Sequence, residues 1–172
     1  AALAGGAMVW DLVDPARPME VGRWWIPGQW KAGGEPYPWD NWVSPRCHHP
    51  LRMDDRLYVS YWHGGFVILD IDDLSSPKFV SGLDWSPPFI TPTHTALPVP
   101  FPLRGRRVMI AADEDVAKLE PGAPSFMWLV DITDERHPAP FASFQVAGVD
   151  GSPQPDFTGC HQPCERVTGT EI

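Results

Sequence analysis

Residues 64–77 read GGFVILDIDDLSSP, and two other stretches of the chain repeat their plan. Residues 5–18 are GGAMVWDLVDPARP, and residues 125–138 are SFMWLVDITDERHP. Each is an apolar run, then Asp-x-x-Asp, then Pro: Asp11, Asp14 and Pro18; Asp70, Asp73 and Pro77; Asp131, Asp134 and Pro138. A recurrence every ~60 residues points to a fold assembled from copies of one supersecondary unit.

The apolar runs are short, rich in β-branched and aromatic residues, and bounded by Gly and Asp/Pro clusters, so they predict strands. Asp side chains accept from nearby backbone N–H groups and Pro removes a ladder donor, so the Asp/Pro segment predicts a turn. A further strand is expected after each Pro, at 19–26, 78–85 and 139–146. Upstream, RLYVSY at 56–61 aligns with RVMIAA at 107–112. Further upstream, Cys47-His48-His49-Pro50 aligns with Thr93-His94-Thr95-Ala96 and Cys160-His161-Gln162-Pro163.

One unit therefore reads as a His-bearing strand, an apolar strand, a Gly-Gly strand with its Asp turn, and an outer strand. Four such strands make a propeller blade. The expected fold is all-β, a β-propeller of four-stranded blades. Residues 1–172 form a partial propeller, with blocks at 5–26, 47–85 and 93–146 and the start of a further blade at 160–172. About three blades' worth is present, where closed rings usually have four or more, so a larger ring is expected. The chain is then either a fragment or an oligomerising unit, with open blade edges that favour self-association.

The stretch SYWHGGFVILDIDDLSSPKFVSGLDWSPPF, with THTALP, WLVDITD and GCHQPCE, resembles the LVIVD-repeat proteins, a β-propeller family. A looser architectural similarity is to selenium-binding protein/methanethiol oxidase, in which histidines converge on a metal in the central channel. The resemblance implies a propeller fold and leaves the activity open.

Composition narrows the partners. The net charge is −9 and no Lys/Arg cluster occurs, which argues against nucleic acid and anionic membrane surfaces. No stretch approaches a membrane span. With 21 Pro and 15 Gly, breakers recur every few residues, as many short strands require. Helix is expected at most around Asp54 and at 115–119. The three Cys form no CxxC pair, which favours reduced thiols and a cytoplasmic setting. The connector at 27–45 is expected to be a packed loop, with Trp30, Trp39 and Trp42 as an apolar rim over the channel mouth.

The histidines carry the functional reading. His48 or His49, His94 and His161 fall on the first strand of successive units, the strand that lines a propeller channel. His63 and the pair Asp113-Glu114 align in the loops between second and third strands, on the same face, with Glu165 near them. Imidazoles with a carboxylate suit iron, zinc or copper. The candidate metal ligands are His48, His94, His161, His49 and His63. Glu114 and Asp113 are the candidate base or supporting carboxylates. The expected function is a metal-dependent, oxidoreductase-like enzyme acting on a small-molecule substrate. The alternative is a non-catalytic propeller scaffold that binds a protein or peptide partner on its top face, its histidines serving as structural latches. His137 is expected at the surface, and Asp11, Asp70 and Asp131 in turns.

Overall fold

The computed structural model describes residues 5–39, 44–114, 125–145 and 160–165. Strands β1 (Ala7–Asp11) and β2 (Met19–Trp24) form a two-stranded antiparallel sheet. Strands β3 (Arg46–Met53), β4 (Arg56–Trp62), β5 (Phe66–Asp70) and β6 (Lys78–Leu83) form a four-stranded antiparallel meander in chain order. Strands β7 (Thr93–Pro98), β8 (Val108–Asp113), β9 (Met127–Asp131) and β10 (Ala139–Phe144) form a second. The fold is all-β, and each meander is one propeller blade. The first sheet is the outer half of a preceding blade, because β1 and β2 align with β5 and β6.

The Asp residues make the expected turns three times over. Asp11, Asp70 and Asp131 accept from the amides of Val13, Asp72 and Thr133 at 2.8–3.0 Å. Asp14, Asp73 and Asp134 accept from Ala16, Ser75 and Arg136 at 2.9–3.1 Å. These are Asx turns, local bonds that reverse the chain without a ladder. The following strand then bulges at one aligned position. Val21, Val80 and Phe141 are skipped in the pairing, between Gly22 and Glu20, Ser81 and Phe79, and Ala142 and Pro140.

The same turn fastens each blade to the one before it. The Leu74 carbonyl lies against Gly22, where a Cβ would overlap it. One unit later, the Ser81 hydroxyl donates to the Glu135 carbonyl. Ser81 aligns with Gly22 and Glu135 with Leu74, so the same two positions meet at both junctions, by close backbone approach at the first and by a hydroxyl-to-carbonyl bond at the second. Gly22→Ala is expected to lower stability by about 1–3 kcal/mol, since two backbone segments would have to part. Chemical denaturation measures it, and an unaltered midpoint would show that the junction is loose.

The cores lie between sheets. Tyr58, Phe66, Ile68 and Trp85 of one blade meet Ala96, Met109, Ala111, Val130 and Ile132 of the next. Val59, Tyr61, Val67 and Leu69 face Trp24 and Ile26 of the preceding sheet. At the foot of the second junction the Glu135 carboxylate accepts from Arg56 Nε at 2.9 Å, the Tyr58 hydroxyl at 2.5 Å and Arg107 at 2.9 Å.

The structure corrects one local reading. The segment at Asp54 is a tight turn between β3 and β4, with φ 53° at Asp54, and not helix. A two-residue hairpin loop is shorter than a helical turn. Among the described residues, a single 3₁₀ turn occurs, at Lys31–Gly33. The 115–119 segment lies outside the described residues, as does Trp42. The described part of the connector packs on the sheets: buried Gln29 donates to the carbonyls of Gly5 and Pro45 at 3.1 and 2.7 Å. Among the described residues no helix is long and apolar enough to cross a membrane.

Candidate metal centre

Strands β3 and β7 are the first strands of neighbouring blades and pack side by side. Each bulges at its histidine. In β3, Cys47 pairs with Tyr61 and Pro50 with Val59, so His48 and His49 together face Ser60. In β7, Thr93 pairs with Asp113 and Thr95 with Ala112, leaving His94 unpaired in the ladder. A bulge takes a side chain out of strict alternation and re-aims it. Ser60, wholly buried, ties the two bulges together: it accepts from the His49 amide at 3.1 Å and donates to the His94 carbonyl at 2.5 Å.

His161 comes from the segment 160–165, whose backbone is irregular where a strand was expected. The His161 φ of 57° lies in the left-handed region and interrupts an extended strand, and the His161 amide donates to the Asp113 carbonyl at the end of β8, at 3.0 Å. Few non-glycine residues adopt that region, though His does so more readily than most.

The imidazoles converge. The His48 and His94 ring centroids are 4.3 Å apart, and those of His94 and His161 are 4.2 Å apart. His94 Nε2 is 3.1 Å from His161 Nε2 and 3.9 Å from a Glu114 carboxylate oxygen. His161 Nε2 is 3.4 Å from the other Glu114 oxygen. Atoms that share an ion at about 2.1 Å, at angles of about 90–110°, lie about 3.0–3.4 Å apart. Among the described residues, His48, His94 and Glu114 have ligand atoms within 4.8 Å of one another and could hold a metal ion.

Hydrogen bonding sets the His94 tautomer. Thr95 Oγ1 lies 2.8 Å from His94 Nδ1 and 3.5 Å from the His161 carbonyl. With the hydroxyl donating to that carbonyl it accepts from Nδ1–H, the tautomer whose Nε2 lone pair faces His161 and Glu114. Burial, then the neighbouring His48, His161 and His49, push the His94 imidazolium down to about 4. Burial also lowers His48, against the pull of Glu114. Neutral imidazole is the ligating form.

The two carboxylates differ. Glu114 reaches the histidines directly. Asp113 is wholly buried beneath them, and accepts from Thr93 Oγ1, the Phe126 amide and Trp128 Nε1 at 3.0–3.1 Å. Burial pushes its carboxyl up to about 7 in spite of these three donors. Its backbone carries Glu114 on one side and holds His161 by its carbonyl.

His49 Nε2 pairs with Glu165 at 3.1 Å, while its buried Nδ1 has no hydrogen-bond partner among the described residues. His63 stands outside the His48–His94–Glu114 group; its Nδ1 bonds the Ile90 carbonyl at 2.9 Å and its φ is 54°. His137 is at the surface, paired with Asp134 at 2.9 Å. Trp39 lines a cleft with Trp24 and Trp25, and Trp30 packs edge-on against Trp25. Sequence reading missed Ser60 and Thr95. Neither recurs in the aligned units, so the repeat gave them no signal.

The blades and the inner-edge histidines define a repeat protein of the β-propeller type. Within it, residues 54–84 match the family model of the LVIVD repeat, so the chain carries an LVIVD repeat where the sequence resemblance placed one. No curated protein matches the chain.

Proposed function

We propose that the inner mouth between the two complete blades binds a divalent transition metal, and that the protein is a metal-dependent enzyme of oxidoreductase type acting on a small organic molecule. The observation that carries this reading is the approach of His94 Nε2, His161 Nε2 and the Glu114 carboxylate to 3.1–3.9 Å. The ligands would be His48, His94 and His161, with His49 and its partner Glu165 at the rim. The imidazole and carboxylate donors leave iron, zinc and copper open, and the ion would supply Lewis-acid or redox chemistry.

The chain's own residues have separate duties in this reading. Thr95 holds His94 in the Nδ1–H tautomer. Ser60 fixes the two bulges that aim His49 and His94. Glu114 takes or returns a proton on the side facing His161. Asp113 anchors the backbone from which Glu114 and His161 project.

Metal analysis of the intact protein, purified without chelator, tests the proposal. About one equivalent of one transition metal is expected, since a set of neutral imidazoles with one carboxylate prefers such ions. A metal-free protein that takes up none of iron, zinc or copper on titration would overturn it.

A further inference from the structure

The two junctions between sheets are built from aligned residues, yet only one is filled. Between the two complete blades, Trp85, Phe126 and Trp128 pack together: Trp85 stacks on Trp128 at 5.1 Å, and Phe126 meets Trp128 at 4.9 Å. At the aligned positions of the first junction the chain has Ile26, Gly65 and Val67. Three aromatic rings are thus replaced by two aliphatic side chains and a hydrogen. A cleft of about 510 Å³ lies there, walled by Trp24, Trp25, Trp39 and Phe79. That volume suits a small organic ligand.

Its chemistry is narrow. Among the described residues, Asp84 is the one ionisable residue lining the cleft. Asp84 is exposed at the edge of the cleft, and partial desolvation on the side facing the rings holds its carboxyl above the usual range although the Ser86 amide donates to it at 2.8 Å. A carboxylate in such surroundings gains most from a cation whose remaining surface is apolar. Indole faces attract the same kind of ligand through their quadrupole.

We propose that this cleft binds an apolar organic cation, its ammonium directed to Asp84 and its hydrocarbon held among Trp24, Trp25 and Trp39. The site is separate from the histidines, and does not depend on a metal being there.

The test uses tryptophan fluorescence of the intact protein, titrated with benzyltrimethylammonium and with uncharged 2,2-dimethyl-3-phenylpropan-1-ol. Saturable quenching by the cation is expected, at least about tenfold tighter than by the alcohol. Asp84→Asn should remove the difference. Val67→Trp, which restores the ring present at Trp128, should block both ligands; Asp84→Asn decides the matter if that variant does not fold. Equal affinity for the two probes, binding of neither, or a preference that survives Asp84→Asn would overturn the proposal.

Discussion

Replacing His94 with alanine is expected to weaken metal binding by more than about 100-fold, beyond the roughly 10–100-fold that losing a supporting partner costs. His94 is the hub of the cluster: its ring contacts those of His48, His49 and His161, and its Nε2 faces Glu114. Thr95→Val should fall within the 10–100-fold range, with Thr95→Ser restoring affinity, because only the acceptor for Nδ1–H is lost. Competition with a chromophoric chelator gives the constants, and circular dichroism checks the fold. A His94→Ala protein with unchanged affinity would place the ion elsewhere.

The depressed His94 value adds a pH signature. An ordinary imidazole competes with protons below about 6.5. His94 in the folded protein stays neutral down to about 4, so it remains a competent ligand in that window. The sign for folding is the reverse. The unfolded chain takes up the proton first, so His94 makes the metal-free protein less stable as pH falls from about 6.5 towards about 4. NMR titration of the imidazole reads the midpoint directly, and a value near 6.5 would contradict the described burial.

Glu135→Ala is expected to have the largest effect on stability, about 2–3 kcal/mol. The carboxylate is 13 % exposed and accepts from three side chains on two blades. Its loss leaves the Tyr58 phenol and two guanidiniums without their shared acceptor. Burial raises the carboxyl's proton affinity, but Tyr58, Arg56 and Arg107 outweigh it and hold it below its usual value. The contribution is therefore present above about 4.5 and lost as pH falls through the lowered folded value. Urea denaturation of Glu135→Ala, Tyr58→Phe and the double variant separates the terms. Additive losses would show that the two groups are not coupled.

The repeat made much of this visible in the sequence. The apolar runs, the Asp turns and the histidine positions all recur at fixed offsets, so the strands and the convergence of His48, His94 and His161 could be read by superposing units. What escaped was made once only. Ser60, Thr95 and Glu135 act across the junction between two blades, and the aligned residues in other units are chemically unlike them. Glu135 stands where the other copies have Leu74 and Pro15. Such contacts depend on how blades stack, which no periodicity encodes. The left-handed backbone of His161 is equally silent, since it follows from bonds to Asp113 and Thr95. The open cleft at Ile26, Gly65 and Val67 was legible in principle, as three aromatic positions gone missing, but a missing ring has meaning only once the filled junction has been seen.

The turn that grips the preceding blade does so through a main-chain carbonyl, at Leu74 in one unit and at Glu135 in the next. An attachment made by peptide atoms places no demand on the side chain there. Leucine and glutamate both serve: glutamate builds an ionic clamp, while the Leu74 side chain stays exposed. The side chain on the carbonyl's own residue is thus free to vary between units, while the position that receives the carbonyl is not: it is glycine against Leu74 and serine against Glu135.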